Sequence, residues 1–146
     1  MDQIAPERRS ALMARIKGKN TGPELRARKV AHAMGLRFRL HRAGLPGKPD
    51  LVFPRWRIAL FVHGCFWHQH AGCPRASFPK SRTEYWERKL RKNVERDPLV
   101  FAALKALGWR VVVIWECETN DPGYLARMLR KYFSGCSRPN RSRLVR

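Results

Sequence analysis

The sequence predicts an α/β fold: a mixed central sheet flanked by helices, in a single domain. Helical and strand patterns follow one another as helix, three strands, helix, strand, helix, an order that builds layers around one sheet. The stretch RIALFVHG, residues 57–64, is apolar nearly throughout, as in a strand covered on both faces. The 146 residues, 44% of them hydrophobic, suffice for one core and hold no internal repeat.

Residues 1–20 are basic and poor in strong apolar residues, and read as an arm with a short helical stretch at RRSALMARI. TGPE fits a capping box, with Thr21 as N-cap and Glu24 at the third position. It opens a helix through ELRARKVAHAM that turns Leu25, Val30, Ala31 and Met34 inward and stops at Gly35. LRFRL alternates like a half-buried strand, LPGKPD is a turn, and DLVF and RIALFVHG are strands. SRTE, from Ser81, offers a second capping box before EYWERKLRKNVERD, whose inner stripe is Trp86, Leu90 and Val94. Asp97-Pro98 reads as an N-cap with proline at the first position, where the helix restarts or kinks before Gly108 stops it. WRVVVIWEC is the clearest strand, ending at Cys117, and DPGYLARMLRKYF is an amphipathic helix. The domain therefore spans residues 1–133, and the polar, basic tail 134–146 with Cys136 reads as disordered.

Charge narrows the function classes. Thirty-one Lys and Arg against eleven Asp and Glu give a net +20, a field that selects polyanions, nucleic acid first. No apolar run reaches the ~18 residues of a membrane span, and the first residues lack the apolar segment of a secretion signal. The expected compartment is the cytoplasm, with reduced thiols.

HGCFWHQHAGC, residues 63–73, concentrates three histidines, two cysteines and two aromatics. Cys65, His70 and Cys73 have the types and spacing of zinc ligands, and Cys117 could complete a Cys3His tetrahedron from a neighbouring strand. Such a closed site would be structural. His68 competes with His70 as the fourth donor on spacing alone.

For chemistry on a polyanion the scarce acids matter. Asp50, after a Pro-Gly turn and before an apolar strand, is the best candidate carboxylate for Mg2+, its bland rival being an ordinary turn aspartate. LPGKPD resembles the first half of the PD-(D/E)xK motif, but the next strand carries neither the second acid nor the lysine. His63 and His68 follow instead, and histidine is a competent base near neutral pH.

LPGKPDLVF, FVHGCFWHQHAGC, RTEYWERKLRKNVERD and LGWRVVVIWEC, in this order, resemble the very-short-patch-repair (Vsr) endonuclease family, and RSALMARIKGKNTGPE is similar to its start. The likeness covers roughly residues 7–118. It implies a restriction-endonuclease-like fold with a structural zinc, and nicking of one strand of duplex DNA beside the T of a T:G mismatch. It implies Asp50 and the Val62 carbonyl as Mg2+ ligands, His68 as general base, and His63, paired with Asp97, assisting at the phosphate. Glu24 would lie near the metal's waters, although it is equally a helix cap, as is Asp97. Cys65, His70, Cys73 and Cys117 match the zinc ligands. Family members can carry Thr where Val62 stands, which a carbonyl ligand tolerates.

The same likeness gives Phe66, Trp67 and Trp86 as side chains intercalating beside the mismatch. An apolar wedge costs a few kcal/mol of unstacking, least at a mismatch. The bland alternatives are a small core around the zinc for Phe66 and Trp67, and helix packing for Trp86. His32 and His41 read as surface residues. The expected partners are mismatched duplex DNA and repair-pathway proteins, with the chain a monomer in the bacterial cytoplasm. Two rivals remain at this level: a related nuclease of other specificity, and a zinc-stapled DNA-binding module without catalysis.

Overall fold

The computed structural model describes residues 21–134, so the helical stretch expected at RRSALMARI, and the expected tail from residue 135 on with Cys136, lie outside the described residues, while Ser134 ends the last helix. Within them the order of elements is the expected one. Helix α1 (Gly22–Ala33) is followed by β1 (Arg39–Leu40), β2 (Leu51–Phe53) and β3 (Ile58–His63). Helix α2 (Thr83–Ala106), β4 (Arg110–Trp115) and α3 (Pro122–Ser134) complete the fold, with short 3-10 turns at Pro74–Ala76 and Glu116–Asn120.

The sheet order is β1-β2-β3-β4. The first three strands pair antiparallel and β3 pairs parallel with β4, His63 opposite Trp115. A parallel pair needs a long crossover, and α2 lies within it. The mixed sheet is thus a consequence of where the long helix falls in the chain.

Period-two alternation distributes the strand residues between two cores. Leu51, Phe53, Ile58, Leu60, Val112 and Ile114 face α1 and α3, packing with Ala27, Ala31, Leu125, Leu129 and Phe133. Val52, Ala59 and Phe61 face the other way, onto Leu104 of α2 and Trp109. His63 continues that second series, two residues beyond Phe61, which aims its ring at the α2 side of the sheet.

Several local expectations need correction. In α1 the buried face is Glu24, Ala27 and Ala31, while Leu25 is exposed. The alanines let the helix approach the sheet closely, and this rotation turns Glu24 inward. LRFRL pairs over Arg39–Leu40 alone. The SRTE box does not form: Arg82, with φ of 52°, occupies the N-cap and gives no side-chain cap. Helix α2 runs unbroken through Pro98, so Asp97 is an interior residue rather than a cap. Its inward stripe is Trp86, Leu90, Asn93, Asp97, Val100 and Leu104, at helical spacing, and Val94 is exposed. Two polar residues hold stripe positions because that stretch meets the loop after β3, Asn93 at the Trp67 carbonyl and Asp97 at the His68 ring. Strand β4 stops at Trp115, and Cys117 sits in the following 3-10 turn.

Candidate active site and metal centre

The loop after β3 folds on itself through short backbone bonds. The His70 N–H donates to the Cys65 carbonyl at 2.9 Å, and the His68 N–H to that of Gly64 at 3.1 Å. Gln69 and Gly72 take left-handed φ of 48° and 71°, which closes the loop. The fold brings Cys65, His70, Cys73 and Cys117 together, their donor atoms all within 4.8 Å of one another. His70 Nδ1 lies 3.7 Å from the Cys65 Sγ and 3.5 Å from the Cys117 Sγ. Tetrahedral zinc with ordinary Zn–S and Zn–N bonds sets that edge at about 3.6 Å. Burial, and then the Cys65 and Cys73 thiols beside it, push the Cys117 thiol up to about 12. Burial raises the Cys65 thiol as well, whereas at Cys73 the effect of burial is outweighed by the Arg75 N–H and the neighbouring thiols, which lower it. A cation at the centre relieves the two thiols that resist ionisation. The donor set fits a closed structural zinc site. The His70 ring is stacked on Trp115, centroids 4.1 Å apart, which fixes its orientation. His68 points elsewhere, so geometry makes the same choice between the two histidines as the family resemblance.

On the other side of the loop a cleft of about 720 Å³ is lined by Glu24, Lys48, Asp50, Val62, His63, Trp67, His68 and Asp97, among others. Asp50 precedes β2 and its Oδ2 accepts the Val62 N–H at 2.6 Å. Burial pushes its carboxyl up to about 7; the Glu24 carboxylate adds to this, and the Val62 bond and Arg28 oppose it. Glu24, 3% exposed, has its own N–H capped by Thr21 Oγ1 at 3.4 Å. Its carboxylate faces Arg28 at 3.3 Å and His41 at 3.5 Å. A buried and a half-buried carboxyl group with oxygens within 4.8 Å of each other fit a hard divalent cation.

The opposite wall carries the imidazoles. His68 Nδ1 donates to Asp97 Oδ2 at 2.7 Å, which leaves the Nε2 lone pair free to accept a proton. His63 stacks on His68 with centroids 3.7 Å apart and planes 6° from parallel. The pairing expected of Asp97 was with His63, whose Nδ1 lies 4.0 Å away; the shorter contact is to His68. Burial, and then His68, push His63 down to about 4, while Asp97 opposes this. The stacked pair is therefore able to stay uncharged on the His63 side at neutral pH.

Phe66 and Trp67 project from the pinned loop, half-buried, with ring centroids 5.2 Å apart. Trp86 of α2 lies beneath both, at 5.4 Å from Phe66 and 6.0 Å from Trp67, and is only 4% exposed. The Asn93 amide donates to the Trp67 carbonyl at 3.3 Å and ties the loop to α2.

The sequence-derived residues thus assemble into three neighbouring groups, but three further residues carried no sequence signal. Asn93 looked like one polar residue in a basic helix. His41 is not a surface residue: its side chain is 26% exposed and its ring faces the carboxylates. Arg28, one turn after Glu24, donates to both. His32 is exposed as expected.

The chain is similar to known proteins along most of its length. Residues 1–75 match the family model described as DNA mismatch endonuclease Vsr. A protein from Xanthomonas oryzae pv. oryzae, named type II nicking enzyme V.XorIIP, is 54% identical over 129 residues, covering 88% of this chain and 94% of its own. The DNA mismatch endonuclease Vsr of Escherichia coli is 45% identical over 109 residues, 75% and 69% of the two chains. Type II nicking enzyme V.NmeAIP of Neisseria meningitidis is 36% identical over 130 residues, 89% and 92% of the two. With such likeness over nearly its whole length, and with those motifs gathered around one cleft, the chain belongs to the Vsr family of DNA mismatch endonucleases.

Proposed function

We propose that the chain is a DNA nicking endonuclease that cuts one strand beside the T of a T:G mismatch by Mg2+-dependent phosphodiester hydrolysis. The observation that supports it most directly is the facing of the Glu24–Asp50 carboxylate pair and the Asp97–His68 dyad across one cleft. A divalent ion held by Asp50, with the Val62 carbonyl as the second protein ligand, supplies charge neutralisation at the scissile phosphate when bound. Asp97 orients His68 so that Nε2 takes the proton of the attacking water. His63, stacked on His68, limits the ring's movement and faces the phosphate as an uncharged partner. Arg96 and Lys48, on the cleft wall, suit the phosphates on either side.

The loop pinned by zinc serves recognition. Phe66 and Trp67 form the wedge that enters the base stack, where a mismatch costs least to open. Trp86, as buried as it is in the free chain, acts first as the platform under them, and reaches DNA only once the loop has moved. The excess of positive charge supplies phosphate contacts and a strong salt dependence. One catalytic centre per chain suits a single nick and a monomer. No helix among the described residues is long and apolar enough to cross a membrane, and a bacterial cytoplasmic setting beside repair proteins is part of this proposal.

The test is a nicking assay on T:G and T:A duplexes in a cytosine-methyltransferase site, with Mg2+, comparing wild type, Asp50→Ala and His68→Ala. Nicking confined to T:G and lost in both variants is the expected result. Equal nicking of both duplexes would remove the mismatch specificity. Binding without nicking, unchanged by Asp50→Ala, would leave only a DNA-binding module.

A further inference from the structure

His41 stands at the end of β1 in a left-handed backbone conformation, φ 46°, which a non-glycine residue adopts at a cost. Its N–H is turned to the Asp50 carbonyl at 3.4 Å, so the backbones of the two residues are paired. Its Nε2 lies 3.0 Å from Arg28 Nη2 and 3.5 Å from Glu24 Oε2. A guanidinium can only donate, so the shorter of these contacts makes Nε2 the acceptor and puts the ring proton on Nδ1. The Nε2 lone pair is directed at the Arg28 guanidinium, and Nε2, a Glu24 oxygen and an Asp50 oxygen lie within 4.8 Å of one another.

We propose that His41 completes a nitrogen-and-two-carboxylate site with Glu24 and Asp50, and that this site takes a first-row transition ion such as Mn2+ in preference to Mg2+. Magnesium takes oxygen ligands and gives up its waters reluctantly, whereas first-row ions accept imidazole. The Arg28 guanidinium occupies the cation position in the free chain, donating to Glu24 and His41 at 3.3 and 3.0 Å, and an incoming ion exchanges one positive charge for another. The inference rests on the reading of Asp50 as a metal ligand and adds Glu24 and His41 as donors, and a metal preference, to it.

Mn2+ is the probe, because it leaves the thiolate-rich zinc site alone. The zinc-loaded full chain, without DNA, is titrated with Mn2+ and with Mg2+ by calorimetry, and the Mn2+ complex is examined by pulsed electron paramagnetic resonance for coupling to a nitrogen nucleus. His41→Asn is the variant of choice, since asparagine tolerates the left-handed conformation. The expected result is a nitrogen coupling in wild type that disappears in the variant, with Mn2+ affinity falling about 10-fold or more and Mg2+ affinity nearly unchanged. A wild-type Mn2+ complex without nitrogen coupling overturns the inference, whether or not the variant folds. Mn2+ binding that is lost in Asp50→Asn but unaltered in His41→Asn removes His41 alone and keeps the Asp50 site. Absence of Mn2+ and Mg2+ binding in wild type removes both.

Discussion

Replacing Asp50 by asparagine tests the metal site through stability rather than activity. Burial first, then Glu24, raises the Asp50 carboxyl from 3.8 to about 7. The folded chain therefore holds this proton more tightly than the unfolded chain. The sign follows: the stability linked to this proton is complete below the unfolded value and is lost as pH rises through about 7. Three units, at ~1.4 kcal/mol each, amount to a cost on the order of 4 kcal/mol at pH 8 in the metal-free state. Asparagine keeps an oxygen to accept the Val62 N–H and carries no charge, so it removes most of that cost. Urea unfolding of the zinc-loaded chain, in buffer free of Mg2+, is the assay. Asp50→Asn is expected to be about 2 to 4 kcal/mol more stable than wild type at pH 8, the gap closing to about 1 kcal/mol near pH 4.5. Saturating Mg2+ should then stabilise wild type at pH 8 and leave the variant unmoved. If the variant is the less stable of the two at pH 8, or if Mg2+ shifts both alike, the carboxylate is not held in charge frustration that a cation relieves.

Other consequences are as direct. Asp97→Asn should lower nicking by at least about 10-fold, and His68→Ala by about 100-fold or more, with DNA affinity retained in filter-binding measurements. His63 has the opposite linkage to Asp50: its folded value is depressed to about 4, so its contribution is present above pH ~6.5 and lost as pH falls toward 4, and His63→Gln should flatten the acid limb of the stability profile. Cys117→Ser should lower zinc content below one ion per chain by elemental analysis and shift the tryptophan emission, because the loop bearing Trp67 loses an anchor. Gly47→Ala should cost about 1 to 3 kcal/mol in urea unfolding, since its φ is 71° and a Cβ there would collide with the Val100 side chain.

Much of this molecule was legible before any coordinates. Apolar runs and helical periods ordered the elements, because burial on a strand or helix face leaves a local period of two or 3.6 residues. RIALFVHG read as a two-faced strand, and its strand portion Ile58–His63 is buried on both sides. Cysteine and histidine at ligand spacing marked a candidate metal centre, because a short loop must present its donors at small separations, and the four donors do converge. The family motifs, kept in order along most of the chain, carried the candidate catalytic groups, and the site they name is one cleft.

The rest depended on which residues meet across distant segments. Helix α2 carries Asn93 and Asp97 on the face that periodicity would reserve for apolar residues, because there it meets the Trp67 carbonyl and the His68 ring, and only the packing of α2 against the loop after β3 reveals it. Rotation of α1 buried Glu24 and exposed Leu25, and it is set by the close packing of Ala27 and Ala31 against the sheet rather than by the larger apolar residues. His41 and Arg28 look like surface residues in any local reading. They become partners of the carboxylates because β1 runs antiparallel to β2 and delivers His41 beside Asp50, while α1 places Glu24 and Arg28 one turn apart above them. Sequence patterns record the period of burial; contacts between segments far apart in the chain are settled by how the layers pack.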